Sequence, residues 1–311
     1  MPLPETYSFP RYLATKRSVD DRALNRQVRD ALCRALPLAA PDAPLRVLEI
    51  GAGDGAMFER MLTWGLLNQA EYTAVDLDGE VIASARQQFP SWAARQGYDV
   101  QTNPDRSLSF SRPGQRVRLQ LVAQDVFDFI AWRQGQPGWD LLVAHAFLDL
   151  IDIPSSLPTL FQLCNPGGYF YFTINFDGAT LFEPVIDPAF DELVQTLYHR
   201  TMDQRQINGK PSGDSRSGRH LFHHLRDAGA EVIAAGASDW VVIPEAQGYP
   251  QDEAYFLHYI IETVRQALAG QAKLDASRFE RWIAERHAQI ERHQLVYIAH
   301  QLDYAGRVPY K

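Results

Sequence analysis

Cysteine is almost absent: Cys33 and Cys164 are the only two in 311 residues. Two thiols cannot build a disulfide framework for a chain this long, and neither sits in a paired metal-ligand spacing. Two reduced thiols and no metal centre are the expectation. Long apolar runs are also missing. No stretch reaches the ~20 apolar residues of a membrane span. The opening Met1-Pro2-Leu3-Pro4-Glu5 carries no apolar signal core. A soluble, cytoplasmic protein with no membrane partner is expected. Positive charge is in deficit, with 30 Lys and Arg against 38 Asp and Glu, a net charge of −8. That balance suits neither a nucleic-acid coat nor broad phosphate-backbone binding. There is no Gly-x-Ser-x-Gly elbow for a serine hydrolase, no internal repeat and no low-complexity tract. Hydrophobic residues at 46% are enough for an ordinary core, which excludes dominant disorder.

Residues 1–44 read as helical. Leu24, Val28, Leu32 and Leu36 fall on one stripe, Asp20 and Asp21 are placed to cap the second helix, and Pro37 and Pro41 break it. From Leu45 the rhythm becomes strand, turn, helix. Strands are expected at 45–50, 72–75, 117–122, 140–145 and 169–174, with helices at 80–88 and 157–164. Residues 90–115, rich in Pro, Gly, Ser, Arg and Gln, read as an irregular insertion. Residues 178–217 read as a mainly helical insertion, and 252–292 as two amphipathic helices. A sixth strand falls within 232–243. The β-branched and aromatic run Leu295–His300 reads as a seventh. Such alternation predicts an α/β fold with a doubly wound, mostly parallel sheet.

Gly51, Gly53 and Gly55 follow a strand and open a helix, where bare backbone can turn tightly and approach a nucleotide-like ligand. Gly51, Gly53 and Ala56 satisfy the dinucleotide pattern. Glu49, Gly51, Gly53 and Gly55 satisfy more fully the pattern of an S-adenosylmethionine site. The acid discriminates physically, since a carboxylate beside the loop repels a pyrophosphate and attracts an ammonium group. Asp76, at the end of the second strand, is placed to accept ribose hydroxyl hydrogens, or alternatively to form a turn with Asp78. Asp125, at the end of the third, is placed to accept from an adenine amino group, or alternatively to cap a helix.

With Val47-Leu48-Glu49-Ile50-Gly51-Ala52-Gly53-Asp54-Gly55, Ala74-Val75-Asp76, Gln124-Asp125-Val126, Trp139-Asp140-Leu141-Leu142-Val143 and Asn165-Pro166-Gly167-Gly168 in order, the chain resembles the class I S-adenosylmethionine-dependent methyltransferases. The resemblance is closest over 45–177. It implies a Rossmann-like seven-stranded sheet whose last strand is antiparallel, here with helical cap insertions. It also implies S-adenosylmethionine at the carboxyl ends of the first strands, held by Glu49, Gly51, Ala52, Gly53, Gly55, Asp76, Leu77, Asp125, Val126 and His145, and direct methyl transfer to a nucleophile. The expected organisation is an N-terminal helical cap at 1–44, a cofactor-binding core at 45–177, a helical cap at 178–217, and the rest of the sheet at 218–311 with a helical insertion at 252–292. An NAD(P)-dependent oxidoreductase and a non-catalytic S-adenosylmethionine-binding protein are the competing readings.

The acceptor is expected to be a small molecule methylated on oxygen or nitrogen. Only a protonated acceptor needs a base. Catalytic candidates are His145, where the fourth strand ends, and His199 with Asp203, which share a helix face at i, i+4. His145 reads alternatively as a packing histidine. Tyr12, Asp149, Asn175, Tyr198 and Arg205 are the candidates for binding the acceptor. Asp149, Asn175 and Asp177 are too loosely spaced for a catechol-type metal site. Residues 1–20, 178–217 and 252–292 are expected to close over the methyl group as a lid.

Overall fold

Ser8 and Asn25 set where the first two helices begin. In the computed structural model, which describes residues 7–133, 138–207 and 209–310, α1 (Phe9–Ala23) is capped by Ser8 Oγ accepting from Arg11 N. α2 (Arg26–Ala35) is capped by Asn25 accepting from Val28 N. The placement of Asp20 and Asp21 as the cap of the second helix is therefore corrected. Both lie inside α1, because Asn25 supplies the same capping chemistry one residue before α2 begins.

The remaining elements are β1 (Leu45–Ile50), α3 (Ala56–Thr63), β2 (Gln69–Asp76), α4 (Gly79–Arg95), β3 (Asp99–Thr102), β4 (Leu108–Arg112), β5 (Gln115–Ala123), α5 (Val126–Arg133), β6 (Trp139–His145), a 3-10 turn (Leu148–Leu150), α6 (Ile153–Phe161), β7 (Cys164–Glu183) and α7 (Pro188–Asp203). They continue with β8 (Gln206–Ile207), β9 (Lys210–Pro211), α8 (Ser217–Asp227), β10 (Glu231–Ala237), β11 (Trp240–Val242), α9 (Glu253–Ala267), α10 (Ala276–Glu291) and β12 (Val296–Arg307). Among the described residues, no helix is long and apolar enough to cross a membrane.

The main sheet runs β10-β12-β7-β6-β1-β2-β5-β4-β3, with β11 paired to β12. The pairs from β5 through β2, β1 and β6 to β7 are parallel. β12 lies antiparallel between β7 and β10. This is the Rossmann-like core with its antiparallel last strand, and Leu295–His300 does lead into a strand. The sheet is nevertheless ten-stranded rather than seven-stranded.

The additions come from segments whose polar content hid their pattern. Residues 90–115 are not irregular. α4 continues through Pro90, which sits on an exposed face while Ala85, Phe89 and Ala93 keep burying the other. β3 and β4 then form a hairpin on the edge of β5. Leu108 and Phe110 point inward between serines, a period of two that composition alone obscures. Residues 178–217 are likewise not mainly helical. Their first six residues prolong β7, paired along its length with β12, before α7 and the small β8–β9 hairpin.

Two apolar layers cover the sheet. On one face Val47 and Tyr72 meet α2, α3 and α4. On the other, Leu48 and Ile50 meet α5, α6 and α8. Phe58 of α3 contacts Tyr72, Phe89 and Phe110 edge-on at 5.0, 5.4 and 5.1 Å. Such pairs contribute roughly 0.5–1.5 kcal/mol each beyond burial. They hold α3, and hence the glycine loop before it, against the sheet.

Candidate active site

The glycine loop crosses the carboxyl end of β1, beside the point where strand order reverses, the usual ligand crevice of such sheets. Gly51, Gly53 and Gly55 all have left-handed φ. A Cβ at Gly51 would collide with the Phe147 ring, and one at Gly55 with the Phe89 ring. At Gly53 a Cβ would meet only Leu13 Cδ1, at 3.7 Å, so this glycine faces open space. Asp76 ties the loop to β2: its Oδ2 accepts from Gly53 N at 2.8 Å and its Oδ1 from Asp78 N at 2.9 Å. A carboxylate has about four lone-pair sites, so it can still accept two ribose hydroxyls. Asp125 Oδ1 accepts from Phe127 N at 2.8 Å and Asp128 N at 3.3 Å, the capping geometry for α5.

These groups border a cavity of about 800 Å³. Every residue expected to hold the cofactor lines it except Glu49 and Gly55. Gly55 serves instead as the left-handed N-cap of α3. Glu49 shares its side of β1 with Val47 and points beneath the loop. It is 1% exposed, accepts from Tyr72 Oη at 2.8 Å, and burial pushes its pKa up to about 8.

The opposite wall is one face of α1, carrying Phe9, Leu13, Lys16, Arg17 and Asp20. Arg17 clamps the helix to the loop, donating from Nε to Asp54 at 2.9 Å and from Nη1 to Glu59 at 2.8 Å. Asp20, 3% exposed, is the hub. Its Oδ1 accepts from Trp240 Nε1 at 2.8 Å, and its Oδ2 faces Lys16 Nζ at 3.2 Å, His145 Nε2 at 3.0 Å and Arg60 Nη2 at 3.7 Å. Burial opposes its ionisation, but Lys16, His145 and Arg60 outweigh it and hold the carboxyl below the usual range. Sequence reading missed Asp20 as a site residue. The available signal was the i, i+4 spacing of Lys16 and Asp20 on a helix.

His145 lines the cavity with both ring nitrogens engaged. Nε2 meets Asp20 Oδ2 at 3.0 Å and Arg60 Nη1 at 3.3 Å, and Nδ1 meets Thr173 Oγ1 at 2.8 Å. Burial pushes its pKa down to about 4, and Asp20 only partly offsets this. Histidine ordinarily titrates near 6.5, so the unfolded chain binds this proton first as pH falls. The contribution of neutral His145 is complete above 6.5 and is lost as pH falls toward 4. The expected loss is at most about 3 kcal/mol. Denaturant titrations at pH 7.5 and 4.5 check it, with a shallower fall expected for His145→Gln.

His199 and Asp203 share α7 but do not reach the cavity. His199 Nε2 meets Thr180 Oγ1 at 3.1 Å, and Asp203 Oδ1 accepts from Ser215 N at 2.8 Å. Asn175 is fully buried between β7 and β12, donating to Leu302 O at 2.8 Å, also away from the cavity. Asp177 is engaged by Arg219, whose N and Nε donate to it at 2.7 and 2.8 Å.

The other acceptor candidates do converge. The Arg205–Ser212 connection is pinned to the 3-10 turn by Ser212 Oγ donating to Leu150 O at 2.5 Å. A Cβ at Gly213 would lie 3.1 Å from the Asp149 carbonyl and 3.4 Å from Arg205 Nη1. Tyr198 lies within electrostatic reach of both Asp149 and Arg205, and Tyr12 within reach of Tyr198 and Tyr297. Of the three segments expected to form a lid, α1 and Ile207 line the cavity. Residues 252–292 do not line it. They buttress α1 through Asp252 with Arg11 and Glu253 with Ser18 and Arg22, and Tyr259 stacks on Tyr12 at 4.1 Å.

Comparison with known proteins gives the family. Polyamine aminopropyltransferases of two Synechococcus strains are 32% identical over 101 residues, 32% of this chain and 26% of theirs. One from Hyperthermus butylicus is 33% identical over 111 residues, 35% and 30% of the two chains. The matched region thus spans only between a quarter and a third of those relatives. A solved S-adenosylmethionine-dependent methyltransferase of Thiobacillus denitrificans, in complex with S-adenosyl-L-homocysteine, is 14% identical, with 99% of this chain and 100% of that chain covered and a TM-score of 0.44. One from Methanosarcina mazei is 12% identical, with 93% and 99% covered and a TM-score of 0.44. The model of the methyltransferase domain family matches residues 24–235, well over half of the sequence. The chain therefore belongs to the methyltransferase domain family, among the class I S-adenosylmethionine-dependent methyltransferases.

Proposed function

We propose that this protein transfers a methyl group from S-adenosylmethionine to an oxygen or nitrogen of a small molecule. The observation that carries the reading is the cavity of about 800 Å³ between the glycine loop, Asp76 and Asp125 on one side and the α1 face on the other. Its residues suit the cofactor. Gly53 leaves room at the loop, Asp76 keeps acceptor capacity for ribose hydroxyls, and the apolar Leu77 and Val126 flank the place for the base beside Asp125. Bound there, the cofactor supplies a methyl carbon activated by its sulfonium. The chain's own work is to align the acceptor in line with that carbon, an effect that can contribute several kcal/mol, and to exclude water with α1. The helix across the mouth favours a small acceptor over a macromolecule.

S-adenosylhomocysteine at a hundred times its dissociation constant is expected to stabilise the fold by about 2.7 kcal/mol, and NAD not at all. Asp76→Ala is expected to weaken S-adenosylhomocysteine binding by about 1.5–3 kcal/mol in calorimetry. Unchanged affinity in a folded variant would remove Asp76 from the site. The identity to polyamine aminopropyltransferases supports a second reading, aminopropyl transfer to a polyamine. A methyl-labelled sulfonium donor separates the two: label appears in the acceptor for methyl transfer and stays on the nucleoside for aminopropyl transfer.

A further inference from the structure

Among the described residues, five polar side chains near the α1 end of the cavity have no hydrogen-bond or ion-pair partner for their functional groups. Arg205, half-buried at the end of α7, makes no side-chain hydrogen bond or ion pair, although its Nη1 and the Asp149 carbonyl flank one point near Gly213. The Asp149 carboxyl receives no hydrogen bond from another residue, and burial raises its pKa. The hydroxyls of Tyr12, Tyr198 and Tyr297 also lack partners. Tyr297 is 4% exposed, and an idle hydroxyl is costly at such a position.

The five come from α1, the 3-10 turn, α7, its C-terminal connection and β12. They adjoin the cavity at its α1 end: Leu13 and Lys16 follow Tyr12, Phe147 and Leu150 flank Asp149, and Ile207 follows Arg205. A cation and an anion left as unpaired neighbours fit a ligand that carries both charges. Such a ligand places a carboxylate on the Arg205 fork and an ammonium on Asp149. The electron-rich ring of Tyr198, a neighbour of both charges, adds cation–π attraction.

We infer that the acceptor is an α-amino acid methylated on its amino nitrogen, its carboxylate bound by Arg205 and its amine held by Asp149 beside the ring of Tyr198. This deepens the methyl-transfer reading and rests on it. Nitrogen is favoured over oxygen because an ammonium is the charged group that the Asp149 carboxylate attracts, and it gives up a proton to a carboxylate far more readily than a hydroxyl does. For the amine, one proton passes from the ammonium to an Asp149 carboxylate oxygen. The freed nitrogen lone pair forms the N–CH₃ bond as the C–S bond breaks, the bonding pair going to sulfur. The products are a methylammonium acid and the uncharged thioether, with Asp149 protonated until it releases its proton to water.

The test titrates the S-adenosylhomocysteine-loaded protein with the twenty standard amino acids. Each binder is compared with its decarboxylated amine and its 2-hydroxy acid, and methyl transfer from labelled S-adenosylmethionine is located by mass spectrometry. At least one amino acid is expected to bind and to take label on nitrogen, with both counterparts at least tenfold weaker. Arg205→Ala is expected to raise the acceptor KM at least tenfold and leave S-adenosylhomocysteine affinity within twofold, with partial recovery in Arg205→Lys. Binding of S-adenosylhomocysteine without binding of any amino acid overturns the inference, as does label on a hydroxy-acid oxygen or an Arg205→Ala variant with unchanged KM. Failure to bind S-adenosylhomocysteine overturns the underlying methyl-transfer reading instead.

Discussion

Replacing Asp20 with alanine is expected to destabilise the fold by about 3–5 kcal/mol, the usual cost of removing one partner from a buried charged cluster. Lys16, 8% exposed, and Arg60, 7% exposed, would keep their charges with their shared buried anion gone. Trp240 Nε1 would lose its acceptor and His145 Nε2 a partner. The losses fall at the junction of α1 with α3, β6 and β11, so α1 should loosen before the sheet does. Chemical denaturation measures the stability, and hydrogen exchange over residues 9–23 measures the loosening. A loss below 1 kcal/mol would mean that Asp20 is not the hub of this cluster.

Gly53→Val is expected to lower S-adenosylhomocysteine affinity at least a hundredfold while leaving a folded protein. Its φ of 53° is poorly tolerated by a β-branched residue, which costs about 1–3 kcal/mol. The side chain itself meets nothing nearer than Leu13 Cδ1, so it occupies the space offered to the ligand. Gly65→Val is the control: φ is 73° there, with nothing within 4 Å of a Cβ and no part in the cavity. It carries comparable strain and should leave affinity unchanged. Equal loss in both variants would assign the Gly53 effect to backbone strain.

The glycine loop and the two strand-end aspartates were legible because their spacing is a local property of strand, turn and helix. Gly51, Gly53, Asp76 and Asp125 need no distant partner to be recognised. Glu49 was legible as a position but not as an environment, since only the fold places Tyr72 against it and buries both. Asp20 was misplaced because its meaning depends on Trp240 and His145, which lie 220 and 125 residues away in sequence. The β3–β4 hairpin was hidden by serine and arginine on its outer face, and α4 by Pro90 on an exposed turn. His199 and Asp203 show the limit of i, i+4 reasoning. Sharing a helix face does not say what that face meets, and here each finds its own partner in Thr180 and Ser215.

β7 and β12 stay paired from Tyr169 with Arg307 out to Glu183 with Val296. Support from β6 ends at the pair of His145 with Thr173. Immediately beyond it Ile174 has a φ of 57°, and the β12 register shifts on either side of the Gln301–Leu302 step. Mechanically this is a cantilever, clamped at its root in the sheet and notched where the clamp ends. Its outer arm carries Tyr297 directly, is braced by β11 along the other edge of β12, and leads into α7 with Tyr198. A load on that arm is expected to bend the beam at the notch, so that Tyr297 and Tyr198 shift together while the glycine loop at the root stays still.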